Sequence, residues 1–97
     1  MLRLIVSKRA QKDLDEIANY IAQDDLQAAI KVLDEIQHEF EILSEHPNIG
    51  QKRGELTTKP YRFLPVYSYL ITYRHDQKEL RIVRVLSAYR DSYSILH

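Results

Sequence analysis

The stretch PYRFLPVYSYLITYRHDQKELRIVRVLSAYRD (Pro60–Asp91) decides how this chain is read. It gathers most of the tyrosines, many β-branched residues and five arginines, Arg62, Arg74, Arg81, Arg84 and Arg90. Aromatic and β-branched residues fit a pleated, half-buried surface, so the stretch predicts strands that carry a polar, cationic face. Tyr61–Val66 is the first strand, and Pro65 puts it at a sheet edge or at a bend, because proline donates nothing to a ladder. Tyr67, Tyr69, Ile71 and Tyr73 alternate with Ser68, Leu70, Thr72 and Arg74, the period of a second strand. His75 to Lys78 turns the chain and Leu80 to Ser87 returns as a third. That turn lacks glycine, which predicts a loop of four or five residues in place of a two-residue primed turn. Tyr89 to His97 either crosses back over the sheet or hangs free.

Upstream, the periods are those of a short strand and two helices. Leu2, Leu4 and Val6 alternate with Arg3, Ile5 and Ser7, giving a strand with one apolar face. Ser7 is placed to cap a helix whose stripe is Ala10, Leu14, Ile17 and Ile21, running over Arg9 to Gln23. Lys8 and Arg9 sit poorly at the positive end of its dipole. Asp13, Asp15, Glu16 and Asn19 fall off the stripe and are expected to face water. Asp24 and Gln27 have the spacing of a capping box, opening a second helix with the stripe Leu26, Ala29, Ile30, Leu33, Ile36, Phe40 and Leu43. Pro47 ends it by disfavouring helical geometry at His46. So short a connection folds the helices back as an antiparallel hairpin. Asp34, Glu35, Glu39, Glu41 and Glu45 make its outer face acidic, as a solvated face is.

Pro47–Pro60, PNIGQKRGELTTKP, holds both glycines and two of the three prolines. It reads as a surface connector or, through Lys52, Arg53 and Lys59, as a basic contact element. The order strand, helix, helix, strand, strand, strand (β-α-α-β-β-β) predicts an α+β fold: an N-terminal strand and an antiparallel two-helix hairpin packed on a curved antiparallel sheet. The strand order stays open, since Leu2 to Val6 can pair at more than one edge. The 97 residues make one domain, 1–97, with material for one modest core.

Fourteen basic residues balance fourteen acidic ones, yet the two halves differ. Up to His46 there are five Lys/Arg and ten Asp/Glu, and from Pro47 nine and four, so the halves carry about −5 and +5. A neutral total argues against a protein that lives on nucleic-acid phosphates, though a local basic patch remains compatible with it. The chain has no cysteine, hence no disulfide framework, thiolate nucleophile or cysteine zinc site, which suits a reducing cytoplasm. No apolar run approaches the ~18 residues of a membrane span. His38, His46, His75 and His97 lack ligand spacing, and no phosphate loop or nucleophile elbow is present. Ser92 and Ser94 have no histidine placed to activate them. No catalytic, cofactor-binding or metal-binding residue is therefore assigned. The arginines are the candidates: within or beside strands they can converge on phosphate or carboxylate. Arg84 alternates with Ile82 and Leu86 and so belongs with apolar residues. That makes an internal ion pair, with Asp91 or a helix acid, its expected state.

The residues also resemble the ParE branch of the RelE/ParE superfamily of type II toxin–antitoxin toxins. The likeness is carried by AQKDLDEIANYI (Ala10 to Ile21), HPNIGQKRGEL after the second helix, and the segments YRFLPVYSYLITYR and IVRVLSAYRD, covering about positions 4 to 91. It implies two helices against a curved antiparallel sheet, a cytoplasmic toxin, and a cognate, ParD-like antitoxin that binds it directly in a hetero-oligomer. It also implies DNA gyrase as the target, poisoned without catalysis or cofactor, with no membrane and no strong direct nucleic-acid binding. The positions it carries over as signature or partner-contact candidates are Arg53, Arg62, Arg74, Arg84, Arg90 and Asp91. Ser87 and Ala88 depart from the family pattern, which commonly has histidine and glycine there. The RelE branch implies instead a ribosome-dependent mRNA endoribonuclease, in which Arg62, Arg84 and Tyr93 would act. The neutral pI and a first helix without a lysine cluster weigh against that. A third reading is a non-toxic module that only binds antitoxin.

Overall fold

In the computed structural model residues 1–87 are described, and Arg90, Asp91 and Tyr93 lie outside them. Strand β1 (Arg3–Val6) leads into α1 (Lys8–Ala22) and α2 (Leu26–Glu45), followed by β2 (Gln51–Lys52), β3 (Arg62–Val66), β4 (Tyr69–His75) and β5 (Glu79–Ser87). The expected α+β order holds, with a two-residue β2 added. All five strands form one sheet in the order β1-β5-β4-β3-β2. The three pairings from β2 to β5 are antiparallel, whereas β1 runs parallel to β5, with Arg3 opposite Glu79 and Val6 opposite Ile82. The sheet is thus mixed where an antiparallel one was expected. The helical hairpin and strands β2 to β4 separate β1 from its partner, so no tight turn dictates their direction.

Both helices start where a side chain satisfies a first-turn amide. The Ser7 hydroxyl accepts from Ala10 N–H at 3.0 Å and donates to the Val83 carbonyl at 3.0 Å, so one serine caps α1 and ties it to β5. The cap of α2 is Asp25 and not Asp24: its Oδ1 accepts from Ala28 N–H at 3.1 Å. Asp24 is still within the turn that ends α1, where its amide bonds the Ile21 carbonyl.

One face of the sheet is covered by the helices. Ala10 and Leu14 of α1, Ile36, Phe40 and Leu43 of α2, and Ile71, Tyr73, Leu80, Ile82 and Val85 of the sheet form one buried core. The stripe on α2 is shorter than its sequence suggests: Leu26 is 61% and Ile30 47% exposed. The opposite face has a smaller core in which Phe63 and Leu86 are covered by Leu56 and Tyr61. The loop 53–61 thus lies over the sheet's second side.

Two strand details depart from simple alternation. Val66 pairs with Tyr69, leaving Tyr67 and Ser68 as a two-residue hairpin loop, with Tyr67 at φ 54°. Tyr67 therefore belongs to a turn and not to the second strand, and a bulky residue occupies a left-handed position that glycine usually fills. In β5 the register slips: Thr72 pairs with Arg84 but Tyr73 with Ile82, so Val83 is an extra residue in the ladder. A bulge of this kind inverts the facing of the residues beyond it. Hence Ile82 and Leu86 end up in different cores. The β4–β5 turn behaves as expected: His75 and Leu80 are its outermost paired residues, and the Asp76 carboxylate accepts from Lys78 N–H at 2.8 Å and Glu79 N–H at 2.9 Å. Those two amides hold the Asp76 carboxyl below its ordinary range.

Candidate protein-binding surfaces and the placement of the arginines

Asp13 and Arg84 meet at the junction of α1 and β5. The pair is bidentate, with Arg84 Nε to Asp13 Oδ2 at 2.8 Å and Nη2 to Oδ1 at 3.1 Å, and Oδ2 also accepts from Val85 N–H at 3.0 Å. Their side chains are 14% and 6% exposed. β1 pairs with β5 only as far as Ile82, so the Val85 amide lies past the end of that ladder and needs another acceptor. Asp13 supplies it. The aspartate expected to face water is therefore buried, because an uncovered strand edge and a guanidinium both require it. The expected internal ion pair of Arg84 forms, with a helix acid as partner. It forms without the simple strand alternation expected of Ile82, Arg84 and Leu86, since the bulge intervenes.

Arg62 and Tyr73, cross-strand neighbours on β3 and β4, clamp the loop that follows α2. The Tyr73 hydroxyl donates to the Pro47 carbonyl at 2.7 Å and accepts from Gly50 N–H at 2.8 Å. Arg62 Nη1 donates to the Gly50 carbonyl at 2.8 Å. A Cβ at residue 50 would lie 2.5 Å from the Tyr73 oxygen, so the clamp closes only over glycine. Burial pushes the Tyr73 phenol up, although the Gly50 amide and the Arg62 charge pull the other way.

The other candidates are more open. Arg53 pairs with Glu55 two residues on, at 2.8 Å and largely in solvent, and this holds the Glu55 carboxyl below its usual range. Such a pair adds little stability. Arg74 stands beside Arg81 across β4 and β5 and makes no ion pair among the described residues. The Arg90, Asp91 and Tyr93 candidates fall outside the described residues. The structure thus brings Arg62 to Tyr73 and Arg84 to Asp13, and leaves Arg53 and Arg74 elsewhere. Neither Asp13 nor Gly50 stood out among the sequence candidates. The signal that would have found Asp13 is an acid one residue before Leu14 of the buried stripe, which needs a cationic mate.

Between α1 and the adjoining ends of β4 and β5 lies a groove of about 620 Å³. Ile17, Tyr69 and Val85 give it an apolar floor, and Asp13, Glu16, Tyr20 and Ser68 a polar rim. Tyr20 is 73% exposed, an amphipathic ring standing at the lip of an apolar trough. Burial, and next the nearby Tyr20, raise the Tyr69 phenol above its ordinary value. Among the described residues no cluster of three or more histidines, cysteines and acids is arranged to hold a metal ion. No helix among them is long and apolar enough to cross a membrane.

The profile described as the ParE toxin of the type II toxin–antitoxin system, parDE, matches residues 4–92. The chain belongs to the ParE toxin family. It is a ParE toxin of a type II toxin–antitoxin system, in agreement with the likeness seen in its sequence. Among solved structures, a chain of the chromosomal ParDE toxin–antitoxin system from P. aeruginosa is similar, with TM-score 0.75 at 24% identity, over 90% of this chain and 96% of that one. At that identity the likeness speaks for the ParE fold. No curated protein matches the sequence.

Proposed function

We propose that this ParE toxin acts by binding proteins: a cognate antitoxin neutralises it, and when free it inhibits DNA gyrase and so blocks replication. The observation that carries this reading is the groove along α1, with an apolar floor of Ile17, Tyr69 and Val85 and an exposed tyrosine at its lip. Grooves of that form take the apolar face of an amphipathic helix, with the rim choosing polar partners. The antitoxin's helix lies there beside the helical hairpin, and an extended segment of it adds to a sheet edge.

The positions of the arginines favour this over ribosome-dependent RNA cleavage. A nuclease needs cations free to neutralise phosphate and a group poised for proton transfer. Arg84 is engaged by Asp13 and Arg62 by a backbone carbonyl. The discriminating experiment assays purified toxin on gyrase supercoiling and, separately, on mRNA bound to ribosomes. Loss of supercoiling that purified antitoxin restores is the expected result. Codon-positioned mRNA ends with gyrase unaffected would move the chain to the RelE chemistry, and no effect in either assay would leave an antitoxin-binding module. For the groove itself, Ile17→Glu is expected to weaken antitoxin capture at least tenfold while the far-UV circular dichroism stays unchanged.

A further inference from the structure

The face of the sheet turned away from the helices carries a second feature, at the end opposite the groove. On β4, Tyr69, Ile71 and Tyr73 enter the helix-side core, so Leu70, Thr72 and Arg74 point the other way. Arg81 is the register partner of Arg74, and Glu79, two residues before it, is paired with Arg3 of β1. Three arginines on three adjacent strands thus share one corner with a single strand carboxylate. Arg81 reaches Glu79 only at 3.6 Å. Asp76, the other acid of the corner, has its Oδ1 occupied by two turn amides. Arg74, Arg81, Glu79 and Asp76, with Pro60 and His75, line a concavity of about 260 Å³.

Like charges directly opposite on neighbouring strands repel, and a sheet ordinarily avoids them. A guanidinium is a planar fork whose best mate is a carboxylate or a phosphate. Two forks side by side across a strand pair, one held by Glu79 only at 3.6 Å and the other in no ion pair among the described residues, form half of a charge-paired interface. The missing half is anionic. Its form is indicated by the charge of the whole molecule. The whole chain is neutral, with a sequence pI of about 6.9, unlike the basic footprint of nucleic-acid binders.

We propose that Arg74 and Arg81 form a carboxylate-binding site on the helix-free face of the sheet, which takes an acidic segment of a protein partner. The site is separate from the α1 groove and stands whether or not gyrase is the target. An acidic segment seated there is anchored by charge, and one crossing from there to the groove would engage both sides of the molecule.

The test titrates the full chain with hexaglutamate and follows the arginine Nε–Hε signals by NMR. The Arg74 and Arg81 signals are expected to shift and saturate, while that of Arg84, locked on Asp13, stays in place. Binding should weaken at least tenfold in the Arg74→Gln, Arg81→Gln double variant, fall steeply with added salt, and survive Arg53→Gln. The proposal is overturned if the two signals do not move, or if the double variant binds as the parent does. It is also overturned if a six-residue oligothymidylate saturates the same signals at lower concentration, which would make the corner a phosphate site. None of these outcomes depends on the antitoxin or gyrase assays, so the two readings fail separately.

Discussion

Arg84 and Arg74 sit within one step of each other in the sheet, since Thr72, the register partner of Arg84, is two residues before Arg74, yet they have opposite fates. Arg84 is mostly buried, forked onto Asp13 and surrounded by the α1–β5 junction. Arg74 is exposed and faces another arginine. The side chains are identical, so the difference comes from what stands beside them. Beside Arg84 a strand edge has outrun its partner and draws a helix acid onto the Val85 amide. Beside Arg74 the ladder with β5 runs on to His75 and Leu80 while β3 stops at Arg62, opposite Tyr73, and no helix covers this face of the sheet to bring an acid to the guanidinium. Counting cationic residues on strands does not separate scaffold from surface; finding which of them has a carboxylate delivered by the helix layer does.

The contrast is most exposed at Asp13. Asp13→Ala removes the mate of a buried guanidinium and the acceptor of a strand amide, and should cost about 4 kcal/mol of unfolding free energy in urea. A loss under about 1 kcal/mol would show that the junction is solvated. Tyr73→Phe strips the clamp over the loop after α2, leaving the Gly50 amide and the Pro47 carbonyl without their shared partner. About 2 kcal/mol is expected by the same measurement. Thr72, between the two arginine environments, runs the other way: its hydroxyl is buried with no hydrogen-bond partner among the described residues. Thr72→Val should therefore stabilise by about 1 kcal/mol, and an equally sized loss would mean that the hydroxyl is satisfied after all.

The smallest effect is a pH dependence. Tyr73 and Tyr69 have phenol pKa values raised above the ordinary 10.0 in the fold, chiefly by burial. The folded state then holds those protons more tightly than the unfolded one, so their contribution is intact below about pH 10 and is lost as pH rises through the folded-state values. Thermal melts from about pH 9 to about pH 11 should show Tm falling, and falling less steeply in Tyr73→Phe.

Much of the scaffold is legible in the residues. The stripe Ala10, Leu14, Ile17, Ile21 places α1, Pro47 ends α2 one residue past His46, and the turn after His75 has the predicted length because Asp76 can cap its own loop. The features that escaped depend on one inserted residue or on distant chain. The bulge at Val83 has no glycine to announce it, and Tyr67 adopts a left-handed turn without the usual Asn-Gly signature. The parallel seating of β1 needs the far end of the chain in place before it can be read. The arginine candidates were visible as a group; their division was not, since it rests on Asp13 and Gly50, which local pattern assigns to solvent and to a loop.

The sharpest check on the division of labour between the arginines is urea unfolding of Arg84→Gln and Arg74→Gln side by side. Arg84→Gln should lose about 3 kcal/mol, because it strands the Asp13 carboxylate in a buried site, and Arg74→Gln should stay within about 0.5 kcal/mol of the parent. Equal losses, or the larger loss at Arg74, would show that burial against Asp13 is not what separates the two.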